Sequence, residues 1–330
     1  MKHLTEGYVL HTYGPEKYLR HAIASATTIR RHDPDRPIAL FCPDEHAAIL
    51  AQSGLSELFQ VVEYLPEANR SIIGFKHHLH EFKPFDRSLY VDSDMVWCRN
   101  PDALWTKLST QPFTATGLEK ADAYFGGPKG IGIIPDILLD RRRRTIDRFG
   151  LTHLPRVQAG MIYAQDPEVT RAVCERAATY LSAREETHFR SRLNEGRNEE
   201  TCEWSLAMAM SSMRLSVFPW LQGYESPQLD FIEGLTRYDT DFNEVSCRLY
   251  CDPFIYGLRG IPRFRLRDRL ISLFSSLPGK GDYLDVTPFV VHFGWLQHKG
   301  PFYRFSERVW GRLTSEHTTL EPHTKLSVVG

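Results

Sequence analysis

Over the first hundred residues, short apolar runs alternate with stretches of helical spacing. Residues 7–13 (GYVLHTY) form one run, broken by Gly14 and Pro15. Tyr18, Leu19, Ala22, Ile23, Ala26 and Ile29 then recur at spacings of three and four. That predicts a helix from Pro15 to about Arg31, opened by its proline. Residues 37–42 read as a second buried strand, 43–52 as a helix stopped by Gly54, and 59–65 as a third strand. A helix over 72–82 carrying Lys76 leads to a fourth strand at 88–92. Continuous apolar strands separated by helices mean β-α-β units in a mostly parallel sheet. A mononucleotide would bind such a sheet at the carboxyl ends of its strands.

Beyond residue 100 the rhythm is less regular. Residues 113–116 and 157–163 read as strands, and 167–181 and 199–213 as helices. A long insertion, 117–156, carries the run Arg141–Arg144, which is read as a solvated face. Late strands are expected at 215–218 and 288–293, and a loosely ordered tail after about Ser315. No repeat or low-complexity linker interrupts the chain. The reading is one α/β domain over 1–315, with a nucleotide-binding half (1–100), an acceptor side closed by a histidine segment (101–315), and the tail at 316–330.

Composition narrows the class. With 40 Lys+Arg against 41 Asp+Glu, the formal charge of −1 argues against a general nucleic-acid binder. Hydrophobic residues at 42% and charged residues at 25% are those of an ordinary globular chain. The polar first seven residues lack a secretory h-region, and no apolar run reaches the roughly 20 residues of a membrane span. Six cysteines, at 42, 98, 174, 202, 247 and 251, form neither a disulfide framework nor a C-x-x-C zinc pair. Reduced thiols in a cytoplasmic protein are expected.

Candidate chemistry centres on D-x-D triples, of which the chain has three. Asp33-Pro-Asp35 lies in a helix-to-strand turn, where Asp and Pro are ordinary. Asp239-Thr-Asp241 begins like a calcium loop and then fails, with Glu244 in place of glycine and Tyr250 in place of the closing glutamate. Asp92-Ser-Asp94 differs, because it follows Leu89-Tyr-Val91 and precedes Met95-Val-Trp97. Carboxylates among apolar residues at a strand end call for a positive partner. Residues i and i+2 of an extended chain face one way, so both aspartates are expected to face one hard divalent cation, Mn²⁺ or Mg²⁺.

The segment from Phe75 through Lys76 to Asp92-Ser-Asp94 resembles the donor-site stretch of GT-A nucleotide-sugar glycosyltransferases. Glycogenin and the bacterial lipopolysaccharide galactosyl- and glucosyltransferases are of this type. The resemblance implies a Rossmann-like mixed, mostly parallel sheet flanked by helices. It also implies metal-dependent transfer from a nucleotide-sugar, a UDP-sugar in this type, with retention at the anomeric carbon. The acceptor would be a glycan, a glycolipid or a protein. Asp92 and Asp94 inherit the metal, Asp92 and Ser93 the donor ribose, and Lys76 the donor. Thr12 and Tyr18 match the residues of the first strand and turn that contact the nucleoside. Residues 157–162 (VQAGMI) are similar to the Asn-Ser/Ala-Gly-Val strand, which places Gln158 and Gly160 at the donor. His292-Phe-Gly and Lys299-Gly-Pro-Phe302 resemble the terminal His…Gly…Lys-Pro-Trp motif, where His completes the metal site and Lys holds the departing diphosphate. Phe302 stands in place of Trp. The Asp-Gln pair beside the transferred sugar has at most Glu203-Trp204 as its counterpart. Glu203 is thus the catalytic candidate, positioned to orient the acceptor or steady an oxocarbenium-like sugar.

Two other readings compete. A haloacid-dehalogenase-like phosphatase also places D-x-D after a strand, and Gly281-Asp-Tyr-Leu-Asp285 loosely imitates its later acidic motif. Residues 259–277 form a basic amphipathic stretch with Arg263, Arg265, Arg267 and Arg269, and with Leu266, Leu270, Leu273 and Leu277 at helical spacing. It reads either as contact with the inner face of a membrane or as a surface helix with its apolar side in the core.

Overall fold

The computed structural model describes residues 5–119, 138–259, 261, 263–294 and 298–320. Seven strands form the main sheet: β1 (Glu6–His11), β2 (Ile38–Cys42), β3 (Val61–Tyr64), β4 (Arg87–Val91), β6 (Phe113–Leu118), β7 (Arg156–Ala164) and β8 (Phe218–Pro219). Their order is β3-β2-β1-β4-β7-β6-β8. Only β7 opposes its neighbours; the other pairings are parallel. This is the mixed, mostly parallel, helix-flanked sheet expected of the GT-A architecture.

Away from the exposed edge strand β3, both faces of the sheet are buried, which is why its inner strands read as continuous apolar runs. Tyr8, Leu10, Leu89, Val91, Met161 and Tyr163 enter one apolar cluster, while Val9, Tyr90, Ile162 and Ala164 enter the other. Helix α1 (Lys17–His32) covers the first face with Leu19, Ala22, Ile23, Ala26 and Ile29. The second face is covered by Val173 and Ala177 of the helix Pro167–Ser182 and by Trp204 and Leu206 of the helix Glu203–Ser212. In chain order the helices are α1, α2 (Asp44–Gln52), α3 (Ile72–Lys76), α4 (Asp102–Leu108), α5 (Arg141–Arg148), α6 (Pro167–Ser182), α7 (Glu203–Ser212), α8 (Pro253–Leu258), α9 (Phe264–Ser275) and α10 (Gly300–Leu320).

Two small sheets complete the description. One has the order β5 (Met95–Trp97), β13 (Val290–His292), β9 (Gln228–Asp230). The other joins β10 (Thr236–Tyr238), β11 (Val245–Tyr250) and β12 (Tyr283–Val286).

Several expected elements are altered. The helix expected over 72–82 ends at Lys76. The Gly74 carbonyl accepts from the side chains of Asn69 and His78, both at 2.8 Å, and the His78 N–H bonds Phe75 instead. The ladder therefore stops, while Leu79 and Phe82 stay buried through turns. The helix expected from Glu199 starts at Glu203, because the Glu199 carboxylate accepts from the Tyr13 hydroxyl and the Ile72 N–H. The strand expected over 215–218 shrinks to Phe218–Pro219. Leu215 instead bonds back to the Met210 carbonyl, after a left-handed Arg214 (φ 56°). The last helix carries through 316–320 of the expected loose tail, and 321–330 lie outside the described residues. So do 120–137 of the insertion and 295–297 of the terminal motif. All six cysteines are free thiols, five buried and Cys251 exposed.

Candidate active site

The site is assembled where β4 ends. The chain leaves Val91, turns through Asp92, Ser93 and Asp94, and re-enters a strand at Met95. Backbone bonds hold this turn from two sides: the Asp92 N–H donates to Gly160 of β7 (2.9 Å), and the Phe293 N–H donates to Asp94 (3.0 Å). The aspartates thus share a direction through a turn between strands, not through the alternation of one strand as expected.

Strand pairing brings the third member. β13 runs antiparallel to β5 with His292 opposite Met95, and parallel to β9 with His292 opposite Asp230. His292 Nε2 lies 3.4 Å from an Asp94 oxygen and 3.9 Å from an Asp92 oxygen. On the other side of the ring, the Gln158 amide lies 2.6 Å and an Asp230 oxygen 3.5 Å from Nδ1. The carboxylates on both sides of the ring favour its protonated form, and a cation bound by the two aspartates would displace the Nε2 proton and take that lone pair.

Two lysines close the cluster. Lys76 of α3 is buried, contacts Asp92 at 2.6 Å and donates to the Ala159 carbonyl at 2.8 Å. Lys299 contacts Asp94 at 2.5 Å. Burial by itself would lower the pKa of both lysines, but the aspartates outweigh it and raise both. Burial likewise works against an ionised Asp94, yet Lys299 and His292 hold its carboxyl well below the usual range. Burial would lower the His292 pKa, and the carboxylates of Asp94 and Asp230 instead push it up to about 10. The two aspartates therefore attract every positive group within reach.

The donor set fits a divalent cation. Asp92, Asp94 and His292 each offer a ligand atom, all within 4.8 Å of one another, and among the described residues they are the one such group. Two carboxylates with an imidazole suit Mn²⁺, and Mg²⁺ less closely, since nitrogen is the softer ligand.

Other expected residues are placed as follows. Gln158 and Gly160 lie beside His292, and a Cβ on Gly160 would come within 2.8 Å of Met95 Cε and 3.4 Å of the His292 ring. Ser93 sits between the aspartates in the turn. Thr12, just past β1, is buried and shares its hydroxyl with His46 Nδ1 at 2.9 Å. Tyr18 was expected on the apolar side of its helix; it is 39% exposed, with the Lys17 ammonium over its ring. Glu203 is partly buried at the start of α7. Burial raises its pKa, and the nearby charges of Lys76, Arg192, Arg156 and His292 oppose that. Trp204 is withdrawn from any sugar, fully buried and stacked on Phe189.

Three neighbours had no sequence signal. Asp230 and Gln228 reach His292 only because β9 pairs with β13, and β9 is three residues long. His11 at the end of β1 stacks on Phe75, and burial followed by the Lys76 charge lowers its pKa to about 3. Of the phosphatase motif, Asp285 lies on β12 in a separate sheet and faces Arg248 and Arg237, apart from the Asp92–Asp94–His292 group. Arg267, counted among the basic residues of the amphipathic stretch, is 2% exposed and unavailable to a surface.

No protein-family model matches the chain, and no curated protein matches it. Among solved structures it is similar to the galactosyltransferase LgtC, solved with donor and acceptor sugar analogues. That match has a TM-score of 0.48 and 13% identity, over 94% of this chain and 95% of that one. It is also similar to the glycosyltransferase GlyE of Streptococcus pneumoniae TIGR4, with a TM-score of 0.48 and 12% identity, over 96% of this chain and 64% of GlyE. For mouse xyloside xylosyltransferase 1 the TM-score is 0.42 and the identity 10%, over 68% and 88% of the two chains.

Proposed function

We propose that this chain transfers a sugar from a nucleotide-sugar, a UDP-sugar by the resemblance of its donor-site motif, to a glycan, glycolipid or protein acceptor. The observation that carries this reading is the convergence of Asp92, Asp94 and His292 with Lys76 and Lys299 at the carboxyl end of β4. The two lysines offset Asp92 and Asp94, so a divalent cation would turn the cluster net positive, which suits a sugar-linked diphosphate.

Asp92, Asp94 and His292 would hold the cation, Mn²⁺ in preference to Mg²⁺. Its contribution when bound is neutralisation of charge on the departing nucleotide. Lys299 and Lys76 would bind the diphosphate by exchanging their aspartate contacts for phosphate oxygens, which stabilises charge as it develops. Gln158 and Asp230 fix the His292 ring. Ser93 and Thr12 belong to the nucleoside side of this reading, as does Tyr18, whose exposure leaves its ring open to a ligand. Glu203 is assigned to the acceptor side in this proposal, and so is retention at the anomeric carbon.

The test is a thermal-shift panel of UDP, GDP, CDP, ADP and dTDP with Mn²⁺, Mg²⁺ or chelator, followed by nucleotide release from the matching sugar donor. Ligand at about 100 times its Kd should add roughly 2.7 kcal/mol. A Mn²⁺-dependent shift with one nucleotide supports the reading. Absence of any shift, with no nucleotide released from any donor, overturns it. Phosphate release from an aryl phosphate would point to the phosphatase instead.

A further inference from the structure

Helix α9 has apolar residues on two sides: Ile271 and Phe274 pack into the core, and a second set is left outside. Arg267 faces inward: it is buried, donates to the Glu233 carbonyl at 2.8 Å and pairs with Asp268. Three of the leucines face outward and Leu270 is half-buried. Leu273 is 60% exposed, Leu277 49% and Leu266 44%. At 100° per residue these three fall within about 40° of one another, as one ridge along the helix and its C-terminal turn. Phe254 of α8, 57% exposed and edge-on to Phe274, extends the ridge. Arg265 and Arg269 lie on one flank of it and Arg263 precedes the helix, all three exposed. The one acidic residue of the helix, Asp268, is paired with Arg267.

We propose that α9 docks the protein on an anionic lipid bilayer, the leucine ridge entering the headgroup–acyl boundary and the arginines meeting lipid phosphates. Charge complementarity selects this occupant. An apolar ridge alone would suit a second copy of the chain, but three flanking cations with no free acidic residue on the helix oppose self-association and suit an anionic surface. The buried Arg267 anchors the helix for this purpose, holding its inner side to the fold through Glu233. The anchor leads to the active site. The Glu233 N–H donates to His298 Nδ1 at 3.4 Å, the Phe264 ring lies 5.1 Å from the His298 ring, and His298 precedes Lys299. Phe264 thus joins α9 to the segment that supplies Lys299.

Vesicle flotation of the full chain tests the docking without any substrate, so its outcome is independent of the transferase reading. Phosphatidylcholine vesicles with and without phosphatidylserine are compared, for wild type, R265E/R269E and L273S/L277S. Binding is expected only to the anionic vesicles and should weaken at high salt. Each removed charge should cost about fivefold and each reversal more, so R265E/R269E should bind at least about 30-fold more weakly. L273S/L277S should also bind more weakly, and neither exposed pair should lower the melting temperature. The proposal is overturned if wild type ignores anionic vesicles, or if the variants bind as well as wild type. It is equally overturned if the leucine variant instead dissolves a dimer that does not float.

Discussion

Asp94→Asn removes one charge from the centre of the cluster and keeps its size. In the native arrangement Asp94 contacts Lys299 at 2.5 Å and His292 Nε2 at 3.4 Å, with 15% of its side chain exposed and 17% of that of Lys299. The amide keeps an oxygen for one hydrogen bond, but it leaves a largely buried ammonium without its counter-charge. Breaking such a pair costs several kcal/mol when fully buried; with this residual exposure we expect about 2–3 kcal/mol. For a chain of 330 residues, at roughly 2.1 cal/mol/K per residue, that corresponds to a fall in melting temperature of roughly 3–4 °C. The functional loss should be larger. Losing a charged ligand to the cation removes about 3–4 kcal/mol of stabilisation at the departing diphosphate, or roughly 10²–10³ in turnover. Differential scanning fluorimetry reads the first effect and nucleotide release from the donor the second, both with and without Mn²⁺. The variant should lose the Mn²⁺-dependent stabilisation that wild type shows with the nucleotide. Near-normal turnover in a folded variant would refute the assignment of Asp94 to the metal. A melting temperature that falls while the Mn²⁺ response survives would leave Asp94 a purely structural ion-pair partner.

Two further perturbations probe the support of the site. Gly160→Ala places a methyl group 2.8 Å from Met95 Cε and 3.0 Å from Gln158 Oε1, so the Met95 end must move and Gln158 must give slightly, which loosens its hold on His292. We expect a loss of about 1–3 kcal/mol in stability and weaker Mn²⁺ binding, measured by melting and by metal titration. Unchanged metal affinity would separate Gln158 from the metal site. His77 is buried, contacts Ser205 Oγ at 2.9 Å, and burial together with His78 lowers its pKa to about 4. The unfolded chain binds a proton there below its ordinary value of about 6.5 and the folded chain does not. The stability from His77 is therefore complete above about pH 6.5 and is lost as pH falls through about 4, by up to about 3 kcal/mol. Denaturant titrations at several pH values should show this slope, and His77→Gln should remove its share of it, leaving that of His11 and His21, whose pKa values burial also lowers.

Local chemistry made much of this protein legible in one dimension. Strands buried on both faces leave unbroken apolar runs, so β1, β2 and β4 and the helix after β1 could be placed from periodicity. Asp92 and Asp94 stood out because carboxylates beside such a run are costly without a partner. The resemblance of the segments at Lys76, Gln158, His292 and Lys299 to a known donor site then linked distant stretches, and the structure brings those four residues together around the two aspartates. What stayed hidden depends on pairing across the chain. Nothing near Asp230 or Gln228 marks them as partners of His292, because only the β9–β13 register puts them there. The early end of α3 and the late start of α7 follow from side chains, Asn69, His78 and Glu199, that claim backbone groups a helix would otherwise use or begin with. Helix α9 shows the same limit most plainly. Its sequence fixes that it is amphipathic and basic, but amphipathicity is symmetric with respect to inside and outside. Only the tertiary structure decided which side turns in: Ile271 and Phe274 enter the core beside Arg267, which the Glu233 carbonyl holds, and Leu266, Leu273 and Leu277 turn out.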